Sequence, residues 1–123
     1  MSLLLSLIHK SNNSSAKEFE KLIDNSHNNL FGFEIWRNEL WGNKVIEELN
    51  CHLLFSLKKQ DLFLFDNDLL ILKKECEIIY NNIEYISTST TIEADAISFR
   101  IGNLEEYIKK ALKYQSLIGL NIS

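Results

Sequence analysis

Asp95-Ala96-Ile97-Ser98-Phe99-Arg100-Ile101 can be read in two ways, and the choice decides the fold class. Ile97, Phe99 and Ile101 alternate with other residues, as in a strand with one buried face. Ile97 and Ile101 also begin a helical series that continues through Leu104, Ile108 and Ala111-Leu112. On the far side, Glu105 with Lys109 and Glu106 with Lys110 are i,i+4 pairs in the favourable order, each worth roughly 0.3–0.5 kcal/mol. Gly102 costs a helix about 1 kcal/mol relative to alanine, so the pairs only offset it. Burying each large apolar side chain stabilises by ~1.5–3 kcal/mol. The unbroken apolar stripe therefore predicts a helix from Glu93 or Ala94 to Gln115.

The preceding segment, Asn67 to Ser87, predicts a second helix, capped by Asp66 or Asn67. Leu69, Leu72, Cys76, Ile79, Ile83 and Ile86 form one apolar stripe, and Ile71, Ile78 and Tyr85 a second about half a turn away. Two stripes imply two packing surfaces, as in the central helix of a bundle. The strip between them, with Lys74, Glu77, Asn81 and Glu84, is left for solvent or a partner.

Upstream, Glu34 to Trp41 reads as a helical turn that breaks near Gly42, although tryptophans five apart share one helix side only approximately. A helix from Asn43 to Leu49 follows, then a short piece carrying Leu53, Leu54 and Leu57. Asp61 to Asp66 is either a short buried strand or an apolar connector, and Leu117 to Ile122 a short edge strand or docked extended chain. Ser15-Ala16-Lys17-Glu18 matches a capping box ahead of a short helix from Ala16 to Asp24. The expected fold is mainly α, a compact helical bundle around the helix at 67–87 with one short strand or an extended tail, and α+β as runner-up. A single domain is expected over 1–123, with 31–122 as core and 1–30 as a more variable N-terminal region.

Proline is absent and glycine appears four times, which favours long helices with short connections. The net charge of −4 discourages nucleic-acid binding and is compatible with a basic protein partner. Lys58-Lys59, Lys73-Lys74 and Lys109-Lys110 are short pairs, not a basic run with interleaved aromatics. The run Leu3-Leu4-Leu5-Ser6-Leu7-Ile8 lacks a preceding positive charge and a convincing cleavage site, so it does not read as a secretion signal. No stretch approaches the roughly 18 apolar residues of a membrane span. Cys51 and Cys76 are too few for a disulfide framework and are expected to be reduced, which points to the cytoplasm.

Chemistry-bearing patterns are sparse. Cys51-His52 with Cys76 is the best metal candidate and falls short of four ligands; a buried Cys76 on the helix stripe is the simpler reading. There is no nucleophile elbow and no glycine-rich phosphate loop. Asp66 and Asp68 are only a fragment of a calcium loop. The expectation is no catalytic residue, no cofactor and no metal. Arg37 and Arg100, the only arginines, lie among apolar neighbours and are expected to form structural ion pairs, with partner contact as the other reading. Trp36 and Trp41 read as core or half-buried anchors; an exposed one would be a binding hot spot.

The order of landmarks resembles small immunity proteins of bacterial polymorphic-toxin and contact-dependent growth-inhibition systems. The residues that carry the resemblance are Gly32-Phe33-Glu34-x-Trp36-Arg37-x-x-Leu40-Trp41-Gly42, Leu53-Leu54-x-x-Leu57, Asp61-Leu62, Asp68-Leu69-x-x-Leu72-x-x-Glu75 and Ile97-x-Phe99-Arg100-x-x-Asn103-Leu104. It covers roughly residues 31 to 122, mostly at core positions. The resemblance implies a cytoplasmic, non-enzymatic protein that binds the C-terminal domain of a cognate toxin, expected to be a nuclease, and blocks its active site or substrate entry. It implies no nucleic-acid or membrane partner, and a monomer or weak dimer. Under that expectation Glu34, Glu39, Glu77 and Glu84 would meet basic groups of the toxin, with Trp36 as an aromatic anchor. The alternatives are a small helical enzyme or ligand-binding domain, and an adaptor that dimerises through Leu70 and Ile71.

Overall fold

The computed structural model describes residues 2–9, 29–114 and 117–123. The predicted capping box at Ser15 to Glu18 and the helix to Asp24 lie outside the described residues. The architecture is mixed: helices pack on a four-stranded antiparallel sheet, which corrects the expectation of a helical bundle. The strands are β1 (Ser2–His9), β2 (Leu30–Phe33), β3 (Leu62–Leu64) and β4 (Ile118–Ile122), in the order β2-β1-β4-β3. The helices are α1 (Lys44–Glu48), α2 (His52–Phe55), α3 (Asn67–Asn81), α4 (Ile83–Thr90) and α5 (Ala94–Lys113).

The sheet joins segments distant in sequence. The apolar run at Leu3 to Ile8 is strand β1, with Leu3, Leu5 and Leu7 buried at the strand period and Leu4 exposed. It pairs with β4 from Leu5↔Ile122 to His9↔Ile118, and β4 pairs with β3 from Leu62↔Ile122 to Leu64↔Leu120. So β4 is an interior strand buried along its whole length, and not an edge. Asn121 shows how its second face tolerates burial: its side-chain amide donates to the Leu62 carbonyl at 3.0 Å and accepts from the Ser6 and Ser123 hydroxyls.

Helix wins at Asp95 to Ile101. Ile97, Ile101, Leu104, Ile108 and Ala111 are all buried along α5, while Gly102 is exposed on its outer face. This helix packs on β1, β2, β4, α3 and α4, so α5 organises the core and the helix at 67–87 does not. The latter breaks at Asn82, whose backbone leaves the helical region (φ −123°, ψ 21°) and whose amide donates to the Ile78 carbonyl at 2.7 Å. Its first stripe is buried at Leu69, Leu72, Cys76, Ile79 and Ile86. The second is not a packing surface: Ile71 and Tyr85 are exposed and Ile78 only partly covered, because the sheet and α5 supply the layer that a bundle would need from another helix. Asp66 is the N-cap residue of α3, as expected, although its side chain makes no capping bond.

Between β2 and α1 the chain makes a π-helical turn, Arg37–Trp41. A π-turn bonds i to i+5, and this wider winding brings Trp36 and Trp41 onto one side, with ring centroids 6.5 Å apart. Gly32 makes room for Trp36: its φ is +111°, and a Cβ there would lie 2.2 Å from the indole. Among the described residues, no helix is long and apolar enough to cross a membrane.

Candidate partner-binding surface

α3 and α5 run side by side, and their outer faces border a shallow groove lined by Glu77, Tyr80 and Asn81 from α3 and Glu105 from α5. A second depression continues from it across the Asn82 break, sharing Tyr80 and Asn81 and adding Glu84, Tyr85, Asp95 and Ser98. Both tyrosine side chains are more than half exposed (59% and 54%) although their rings are large and apolar. Four carboxylates thus border one continuous surface with two wettable aromatics. Among the described residues no ion pair neutralises any of the four. Burial, followed by repulsion from Glu77 and Glu106, raises the Glu105 carboxyl above its ordinary value. Glu105 also borders a neighbouring depression on the same seam, where it and Glu106 lie with Lys73, Lys109 and Lys113, so charge there is mixed.

Of the residues expected to meet a partner, Glu77 and Glu84 lie on this surface and are exposed. Glu34 and Glu39 lie apart from it, beside and within the π-turn. The Glu34 carboxylate already accepts from Arg37 Nε. Trp36 is 7% exposed, packed edge-on against Phe33 and Trp41 and lying under Arg100, which leaves little of its ring to present.

No protein-family model matches this chain, and neither does any curated protein or solved structure. The chemistry of its own side chains therefore carries the functional reading. Tyr80, Tyr85, Asp95 and Glu105 were not among the expected site residues. The polar strip Glu77-Asn81-Glu84 was legible as a helix face, but only the packing of α5 against α3 adds Asp95 and Glu105 to it.

The two arginines have different fates. Arg37 forms the expected ion pairs, with Glu34 and Asp61, and its Nη1 also donates to the Leu57 and Gln60 carbonyls at 3.0 Å each. Burial disfavours its charge, yet the two carboxylates outweigh burial and the guanidinium pKa is raised. Among the described residues Arg100 has no such pair; it lies over the rings of Trp36 and Phe99.

The cysteines are unsuited to nucleophilic work. Burial, then the Glu75 charge, pushes the Cys51 thiol up to about 12, and burial raises Cys76 well above its ordinary value. His52 is exposed while both thiols are buried, so the three do not converge on one cavity. Among the described residues no group of three or more His, Cys, Asp or Glu side chains is placed to hold a metal ion.

Proposed function

We propose that this protein binds a basic protein domain and inhibits it by occlusion, as immunity proteins do for a cognate toxin domain. The observation that carries the reading is the acidic surface on α3, α4 and α5, where Glu77, Glu84, Asp95 and Glu105 surround exposed Tyr80 and Tyr85. Carboxylates of one sign steer a basic partner into encounter, and rigid aromatic rings supply contact area at low entropic cost. A toxin that cuts nucleic acid must itself carry cationic groups for phosphate, and those groups would be held by this surface instead. A cytoplasmic site of action goes with this reading.

The test is co-expression with the polypeptide encoded beside this chain, read as growth rescue and as capture of that polypeptide. Neutralising the four carboxylates together (Glu→Gln, Asp→Asn) should slow association by on the order of tenfold at low salt and flatten its salt dependence. Unchanged rates and unchanged salt dependence would sink the occlusion mechanism. Dimerisation is the second reading, favoured by the adjacent exposed side chains Leu70 and Ile71 on α3. A concentration-dependent dimer abolished by Leu70→Lys would support it; a monomer at every concentration would remove it.

A further inference from the structure

We propose that the outer edge of β3 pairs with the same edge of a second copy of this chain, in an antiparallel two-fold contact centred on Phe63. The proposal does not rest on the acidic surface; it assigns a partner to a different part of the molecule.

Backbone register decides which way Phe63 faces. Just beyond β4 the Leu4 N–H donates to the Ser123 carbonyl at 2.7 Å, and the Ser123 N–H donates to the Leu4 carbonyl at 3.1 Å. Ser123 therefore spends its backbone groups on β1. Successive residues of an antiparallel strand turn their N–H and C=O to opposite sides. Asn121 then faces β1 as Ser123 does, while Leu120 and Ile122 face β3. Their partners Leu64 and Leu62 are engaged with β4, so Phe63 between them points its N–H and C=O away from the sheet. Phe63 is 62% exposed, and that side of β3 meets solvent.

The two edges of the sheet differ. Among the described residues the sheet ends at β2 on one side and at β3 on the other. On β2, the Asn103 amide donates to the Leu30 carbonyl at 2.9 Å and the Trp41 indole to the Phe31 carbonyl at 3.2 Å. Its register against β1 also shifts between Ser2 and Leu4. Irregular pairing and occupied carbonyls make an edge a poor template for another strand. β3 instead keeps an even register with β4 and carries Phe63 where a lysine or proline would discourage pairing.

The charges around β3 favour a second copy as the occupant. Exposed Lys58 and Lys59 precede the strand, and Asp66 and exposed Asp68 follow it. A two-fold axis at Phe63 reverses one copy against the other, so the lysine end of each meets the aspartate end of its mate. Parallel pairing would set like charge against like. The hydrogen bonds are self-complementary as well: each Phe63 N–H donates to the other Phe63 carbonyl, with the Cα atoms about 5.5 Å apart. Both phenyl rings then lie on one face of the joined sheet as a cross-strand aromatic pair. Asp61, held by Arg37, falls opposite Phe65 of the copy and not opposite another carboxylate. A three-residue strand offers a small contact, so the dimer is weak.

Sedimentation equilibrium of the full chain from about 5 µM to about 1 mM tests this, with an expected reversible monomer–dimer Kd on the order of 100 µM. Phe63→Lys sets two cations side by side at the axis and should weaken the dimer at least about tenfold. Phe63→Pro removes the outward N–H and should act alike without unfolding the chain, because proline is tolerated where a strand's N–H faces solvent. If the proline variant unfolds, Phe63→Lys, which alters an exposed side chain, decides. Lys58→Glu with Lys59→Glu in one chain, and Asp68→Lys in another, should each weaken self-association severalfold. Their equimolar mixture should recover it, since each chain supplies the end the other lacks. Leu70→Lys should leave this dimer intact. A monomer at the highest concentration, a dimer indifferent to Phe63→Lys, a mixture no more associated than its components, or a dimer lost with Leu70→Lys alone would each overturn the proposal.

Discussion

Glu75 on α3 caps a different helix through Leu54: its Oε1 accepts the Leu54 backbone N–H at 3.0 Å, and its Oε2 accepts that of Leu53 at the same distance. The carboxylate is 4% exposed, and α2, four residues long, receives no side-chain cap from Cys51. Two donors at the start of a helix are thus satisfied from 21 and 22 residues away. Replacing Glu75 by alanine should cost about 3 kcal/mol, because it leaves one buried and one part-buried N–H unpaired and opens a cavity. Glu75→Gln, with one acceptor oxygen in place of two, should cost about half as much. Urea unfolding of the two variants checks the order; a neutral Glu75→Ala would show that the cap contributes nothing.

Stability should fall as pH rises above the ordinary carboxylate range. The folded-state pKa of Glu75 is raised, because burial outweighs the two N–H donors that favour its charge. Glu105 is raised by burial and by Glu77 and Glu106. An acid whose folded pKa lies above its unfolded one binds protons more readily when folded. Its stabilising contribution is therefore full below the unfolded pKa and lost as pH climbs through the folded value. Glu105→Gln should raise the melting temperature at neutral pH and reduce its pH slope, as followed by circular dichroism. Association with a basic partner should change in the opposite sense, weakening on acidification as Glu105 loses its charge.

Two glycines should respond oppositely to alanine. At Gly102 an added Cβ meets nothing within 4 Å, and the residue lies mid-helix on α5. Gly102→Ala should therefore stabilise by about 1 kcal/mol. Gly32→Ala should destabilise by roughly 2–4 kcal/mol, since φ +111° and the Trp36 ring at 2.2 Å both oppose a side chain. Thermal melts of the pair provide the check, and matching signs would contradict the packing around Trp36.

Arg37 joins the π-turn to the segment before β3 through Glu34, Asp61 and two carbonyls. A lysine cannot reproduce that fork, so Arg37→Lys should cost about 1–2 kcal/mol despite the conserved charge. Asp61→Asn, at a half-exposed partner, should cost less than about 1 kcal/mol. Chemical denaturation that ranked them the other way would show that Coulomb attraction, and not the hydrogen-bond geometry, holds this junction.

Much of the helical half was legible because a helix writes its environment locally. The series Ile97, Ile101, Leu104, Ile108 and Ala111 identified α5 against a strand reading of its first turn, and each member is buried. Glu77, Asn81 and Glu84 were recognisable as a polar strip for the same reason. Ile71 and Tyr85 were misplaced in a second buried stripe, since the sheet and α5 supply the layer that this stripe would have met in a bundle.

By itself, then, the sequence determined where the long helical segments lie and the buried stripe of α5. The tertiary structure alone decided the sheet, the centrality of α5 and the composition of the acidic surface. The physical reason is range. Helical periodicity is satisfied within four residues, whereas β1 finds its partner in β4 across more than a hundred, as Leu5 opposite Ile122 shows. Short apolar runs such as Leu62 to Leu64 carry no mark of which distant strand they will meet. Arg37 and Arg100 look alike as cations among apolar neighbours, and only folding gives one its two carboxylates and sets the other over the rings of Trp36 and Phe99.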